Sequence, residues 1–208
     1  MNLANKFTTI RICMVPFYVL LMGLGGFYNM ILAFVVFFVA AVTDFFDGQI
    51  ARKSGTVTPL GIFLDPLADK LLTSAAFIWF VGIPMLGVSP WMVITIILRD
   101  FIITGFRFIA VSQNATIAAD KSGKFKTVSQ LVVIMVIMVI LVINEALLKF
   151  AGATIDILAR DCGDYCALAV VMKKAPFWAI FCIVIFTVLS GLNYMWKYRN
   201  LLSQNDNK

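Results

Sequence analysis

Six apolar stretches, at residues 10–26, 30–46, 60–81, 90–111, 128–148 and 176–195, account for most of the sequence. Each is close to the ~20 residues that carry an α-helix across a hydrocarbon core of about 30 Å. Where water is absent, backbone N–H and C=O groups are satisfied inside the segment, so such stretches form helices and not open strands. Glycine and proline stand in the gaps: Gly25 and Gly26 after the first stretch, Gly82, Pro84 and Gly87 after the third, Pro176 at the start of the sixth. The expectation is an all-α integral membrane bundle of six transmembrane helices, a single domain over residues 1–208. Composition agrees, with 62% of residues hydrophobic and 13% charged. A soluble domain carries roughly half and a quarter, and this chain has too little polar surface to cover a core in water. No internal repeat, low-complexity tract or soluble domain stands out. Residues 1–6 are polar and lead directly into a span carrying Arg11, without a small-residue cleavage site, so no cleavable signal peptide is expected.

Lysine and arginine give the orientation. With the amino terminus inside, the inner segments hold Lys6, Arg11, Arg52, Lys53, Lys121, Lys124, Lys126, Lys197, Arg199 and Lys208. The outer turns around Gly25 and Gly87 hold none. Only the third outer loop carries Lys149, Arg160, Lys173 and Lys174, diluted by Asp156, Asp161 and Asp164. The positive-inside rule places both termini in the cytoplasm of a multi-pass protein of the inner, cytoplasmic membrane. A net charge of +6 suits an anionic inner leaflet. Basic residues scattered over short loops are a poor fit to nucleic acid, and no nucleic-acid partner is expected.

Chemistry enters with the acids. Of eleven Asp and Glu residues, four are Asp44, Asp47, Asp65 and Asp69. Spacings of three and of four put each pair on one face of a helix. The connection between the second and third spans is short, so the two should be antiparallel neighbours presenting their carboxylates to each other. Asp44 lies roughly nine residues before that connection, about 13 Å along a helix, well inside the bilayer boundary. Burial and like-charge repulsion would push protons onto four such carboxylates, and intramembrane acids usually mark a functional site. Bound divalent cation resolves the conflict. Oxygen ligands in a chain with no histidine point to Mg²⁺ or Mn²⁺ and away from zinc. Helix-to-helix glue and a proton path are the plainer readings of the acids alone.

The neighbours decide between them. Gly48, Ala51 and Gly61 are small residues beside the acids that let a substrate approach the backbone, and Arg52 at the membrane edge suits a diphosphate. Tight helix packing explains a glycine equally well, but not the full spacing. The pattern Asp44-x2-Asp47-Gly48-x2-Ala51-Arg52-x8-Gly61-x3-Asp65-x3-Asp69 resembles, at every fixed position, the signature of the CDP-alcohol phosphatidyltransferase family. The likeness extends to the topology of six spans. It implies that Asp44, Asp47, Asp65 and Asp69 bind two metal ions, that Asp65 and Asp69 are catalytic with Asp69 the general base, and that Gly48, Ala51, Arg52 and Gly61 contact the CDP group. It also implies CDP-diacylglycerol as donor, CMP as leaving group and a homodimer in the bilayer, with the active site on the cytoplasmic side.

A second cluster bears on the acceptor. Arg99, Asp100 and Arg107 share the fourth span, and Asp120-Lys121-Ser122-Gly123-Lys124-Phe125-Lys126-Thr127 follows, with Gln130 beyond. Arginine and lysine converging on a pocket suit a phosphorylated acceptor. The arrangement resembles the branch of the family that uses sn-glycerol 3-phosphate, as do Val42-Thr43, the stretch Leu64 to Lys70 and the opening Asn2-Leu3-Ala4-Asn5, although Ala4 stands where proline is usual. By this likeness Arg107, Lys121 and Lys124 hold the acceptor phosphate. Plain cytoplasmic anchoring is the competing reading for Lys121, Lys124 and Lys126. Arg107, flanked by phenylalanines, needs an anionic partner or a route to water. Sister enzymes accepting a second lipid, serine or an inositol phosphate would keep Asp44 to Asp69 and differ here. A cation transporter would use the acids but leave Gly48, Ala51, Arg52 and Gly61 unexplained.

Cys13 and Cys182 lie in spans and read as packing residues; Cys162 and Cys166 share the long outer loop at 149–174, as a disulfide or as free thiols on a short helix. That loop is longer than the family resemblance implies, and its acids read as a solvated face.

Overall fold

The computed structural model describes residues 3–54, 59–112, 121–161 and 167–203; side chains at 3–8, 44–54, 59–66, 69, 107–112, 121–124 and 197–203 are outside the described set. Among the described residues the chain is helical throughout. In order come α1 (Leu3–Leu24), α2 (Phe27–Ser54), α3 (Pro59–Val81), a 3-10 turn (Pro84–Leu86), α4 (Pro90–Ser112), α5 (Lys121–Ala151), α6 (Ile155–Asp161) and α7 (Ala167–Ser203). Each apolar stretch of the sequence falls in one of the six long helices. α1 stops at Gly25 and Gly26, whose φ values of 63° and 79° are left-handed and suit residues without Cβ. Gly87, at φ 62°, closes the 3-10 turn by donating its N–H to the Pro84 carbonyl at 3.1 Å.

The sixth stretch differs from expectation at its start. Pro176 does not open the helix but lies inside α7, which already begins at Ala167. Residues 167–175 are strong helix formers, and proline removes only one hydrogen bond, which membrane helices accommodate. The long loop is likewise partly helical. The Thr154 hydroxyl accepts from the Ile157 N–H at 3.3 Å, the Asn144 side chain accepts from the Ile155 N–H at 3.0 Å, and Lys173 pairs with Asp156 at 2.9 Å, tying α6 to α5 and α7. At the same end, the Lys149 ammonium lies 3.5 Å from the Tyr28 ring centre, with Phe27 and Phe150 beside it. This cation–π clamp fastens the end of α5 over the start of α2.

α1 packs on both α2 and α3, α2 on α5, and α4 and α5 on α7. Tyr18, Phe37, Phe80, Ile96, Ile134 and Ile180 fill the centre, one from each long helix. Large apolar side chains also face outward: Leu20, Ile78, Ile94, Leu98, Val136 and Leu192 are all exposed. So much outward apolar surface suits hydrocarbon and not water. Cys13 and Cys182 are exposed on that outer surface, not packed inside. By length and composition, Phe125–Ala151 and Ala167–Trp196, with mean hydropathies of 2.9 and 2.2, are long and apolar enough to cross a membrane; Thr9–Leu24, Phe27–Thr43 and Lys70–Val81 are shorter apolar helices over the described residues.

Candidate active site

The acidic motif is divided between two helices. Asp44, Asp47, Gly48, Ala51 and Arg52 belong to α2, and Gly61, Asp65 and Asp69 to α3. All eight side chains lie outside the described residues, as do those of Arg107 in α4 and of Lys121 and Lys124 in the first turn of α5. Among the described residues no group of three potential metal ligands converges. Asp156 pairs with Lys173 across the loop.

The second cluster is described in atomic detail. Asp100, on α4, is 6% exposed and accepts from three side chains. Lys126 Nζ on α5 is one, Arg99 Nη1 is a second at 3.3 Å, and Gln130 Nε2 is a third at 3.4 Å. Lys126 is 1% exposed and Gln130 is 2% exposed. Cytoplasmic anchoring in solvent is therefore not what Lys126 does: it is a buried partner of Asp100. The cause is position, since one helix turn separates Lys126 from Gln130 and both then face α4. Lys70, immediately after Asp69 on α3, is within electrostatic reach of Lys126. The cluster thus gathers Arg99 and Lys126 at one carboxylate, with Lys70 near Lys126 on the helix that carries half of the acidic motif.

One contributor was not foreseen. Ser190, on α7, accepts a hydrogen bond from Arg99 Nη2 at 2.9 Å. The guanidinium reaches it by passing close over Gly191, where an added Cβ would meet Arg99 Cγ at 3.1 Å. A Ser-Gly pair in an apolar helix was the available signal. Arg11, read from the sequence as an inner-side charge, is buried on α1 at 3% exposure.

With the geometry in place, the likeness to known proteins can be stated. The family model for CDP-alcohol phosphatidyltransferase matches residues 1–157. The chain is 38% identical over 146 residues, 64% of its length and 74% of the relative's, to the CDP-diacylglycerol–glycerol-3-phosphate 3-phosphatidyltransferase of Bacillus subtilis (strain 168). It is 34% identical over 141 residues to the protein of that name from Escherichia coli (strain K12), covering 63% of this chain and 73% of the other. It is 42% identical over 137 residues to a probable phosphatidylglycerophosphate synthase of Mycobacterium tuberculosis (strain ATCC 25618 / H37Rv), and the match spans 64% of each chain. A match over residues 1–157 takes in the whole acidic motif and the Asp100 cluster apart from Ser190, and this chain belongs to the CDP-alcohol phosphatidyltransferase family.

Proposed function

We propose that the protein transfers a phosphatidyl group from CDP-diacylglycerol to sn-glycerol 3-phosphate, giving phosphatidylglycerophosphate and CMP. The observation that carries the choice of acceptor is the group of cations beside the acidic motif: Arg99 and the buried Lys126 meet at Asp100, with Lys70 of α3 near Lys126. Cations gathered in this way suit an anionic ligand, and a phosphate meets arginine through two parallel hydrogen bonds. The relatives' names carry the same acceptor.

The family is generally dependent on divalent metal. The donor set fits: Asp44, Asp47, Asp65 and Asp69 supply only hard carboxylate oxygens, in a chain without histidine. They would hold two ions, Mg²⁺ or Mn²⁺, which supply charge neutralisation at the diphosphate. The remaining work belongs to side chains. Gly48, Ala51 and Gly61 leave room for the CDP group against the helix backbones, and Arg52 pairs with its phosphates. Arg107, Lys121 and Lys124 hold the acceptor phosphate. Asp69, with Asp65 beside it, takes the proton from the acceptor hydroxyl. The freed oxygen forms a bond to the lipid-bearing phosphorus, the phosphoanhydride bond breaks, and CMP leaves with its electron pair.

In this reading one domain of six membrane spans covers residues 1–208, with both termini and the active site on the cytoplasmic side, as a homodimer. Acyl chains stay in lipid while both polar substrates arrive from the cytosol. Purified enzyme given CDP-diacylglycerol with glycerol 3-phosphate, serine, inositol phosphate or phosphatidylglycerol in turn should form lipid product only with the first. Equal turnover of another acceptor overturns the assignment.

A further inference from the structure

A cavity of about 580 Å³ opens at the end of the helices remote from the acidic motif. Met30, in its wall, lies fourteen residues before Asp44 on α2, roughly 21 Å along the helix. The two sites are therefore separate. The lining is apolar and deformable, with Met22, Met30 and Met85 on different elements, Leu141 from α5 and the Trp79 indole from α3. Methionine adapts to an irregular or flexible ligand better than branched side chains do. The volume lies within the range of small-molecule sites, ~300–1,000 Å³.

One carboxylate breaks the apolar lining. Glu145 reaches the cavity from α5 and is half-buried there. Among the described residues it has neither a hydrogen bond nor an ion pair. Its expected helical partner is Lys149, four residues on, the spacing at which Glu and Lys ordinarily pair. Lys149 is instead committed to the Tyr28 ring at 3.5 Å. The polar neighbour Asn144 is committed too, accepting from the Ile155 N–H. An acid half out of water and deprived of its cation is costly. A ligand cation would relieve that cost, and Trp79 lines the same cavity.

We propose that this cavity binds an amphiphile with a single cationic ammonium head and an aliphatic tail, the head at Glu145 and the tail among the methionines. The site is independent of the transfer reaction and remains if the acceptor assignment fails.

The test uses the full chain in uncharged maltoside micelles with octyltrimethylammonium as probe. Saturable binding should appear as a rise in Tm, and should be absent with octyl sulfate, which has the same tail and opposite charge, and with tetramethylammonium, which has no tail. Glu145→Gln should weaken the Kd at least tenfold, while Glu145→Asp should stay within about threefold of the parent. Met30→Trp, which fills the cavity and keeps the acid, should also abolish the shift. Helix content by circular dichroism separates loss of site from loss of fold. Equal binding of octyl sulfate, or undiminished binding to folded Glu145→Gln, overturns the proposal and leaves only partition into the micelle.

Discussion

Asp69 and Asp100 are both helical aspartates, yet opposite outcomes are expected from changing them. Asp69→Asn removes the proposed proton acceptor together with one charged metal ligand, so CMP release should fall by at least ~10²-fold, the scale of a general-base contribution alone, while the purified protein keeps its Tm. Turnover near the parent rate would remove Asp69 from the chemistry. Asp100→Ala strips a buried lysine of its anion, so stability should fall by about 3 kcal/mol, the usual cost of breaking one partner of a buried pair. Adding Lys126→Met should restore much of the Tm but not the affinity for glycerol 3-phosphate. Restoration of both would make the pair purely structural. Arg107→Ala should raise KM for glycerol 3-phosphate about tenfold or more, as expected for loss of a charge-assisted contact, with KM for CDP-diacylglycerol little changed. Equal increases would argue against a dedicated acceptor contact. The acidic motif was legible because its information is local: residue type and spacing from Asp44 to Asp69. The burial of Lys126 was not. Lys121, Lys124 and Lys126 look alike in sequence, and what distinguishes Lys126 is a carboxylate 26 residues earlier on another helix.

Among the elements, the long helices could be placed from hydropathy because lipid demands internally bonded backbone over a fixed length. Where that demand lapses, the reading failed. α6 is seven residues long and depends on the Thr154 hydroxyl and the Asn144 side chain, neither of which has a periodic signature. Pro176 reads in the sequence as punctuation, whereas α7 begins at Ala167 and runs through it. α7 matters to the site through Ser190 and the close passage of Arg99 over Gly191. Gly191→Ala would press a methyl group against the Arg99 stem, and overpacking of this kind costs ~1–3 kcal/mol. The expected result is a lower Tm together with a raised KM for the acceptor, measured on one preparation. A change in Tm alone would confine Gly191 to packing.

For the whole molecule, the proposed topology makes a simple prediction. In a background without native cysteines, Ser54→Cys at the end of α2 should react with an impermeant maleimide only from the cytoplasmic side, and Ser89→Cys before α4 only from the other. Labelling of both from one side would refute the crossing of α3. The Asp100–Lys126 pair also has a consequence for how the chain enters the bilayer. α5 is apolar enough to leave the insertion channel unaided, with a mean hydropathy of 2.9 over Phe125–Ala151. α4 carries Arg99 and Asp100 in its middle, and a charged residue at the centre of a lone span opposes insertion by ~2.5–3.5 kcal/mol. Arg99 offsets Asp100 within α4 itself, and the buried Lys126 arrives with the next segment. α4 thus enters with one ion pair of its own and gains its second, buried cation only once Lys126 of α5 has followed.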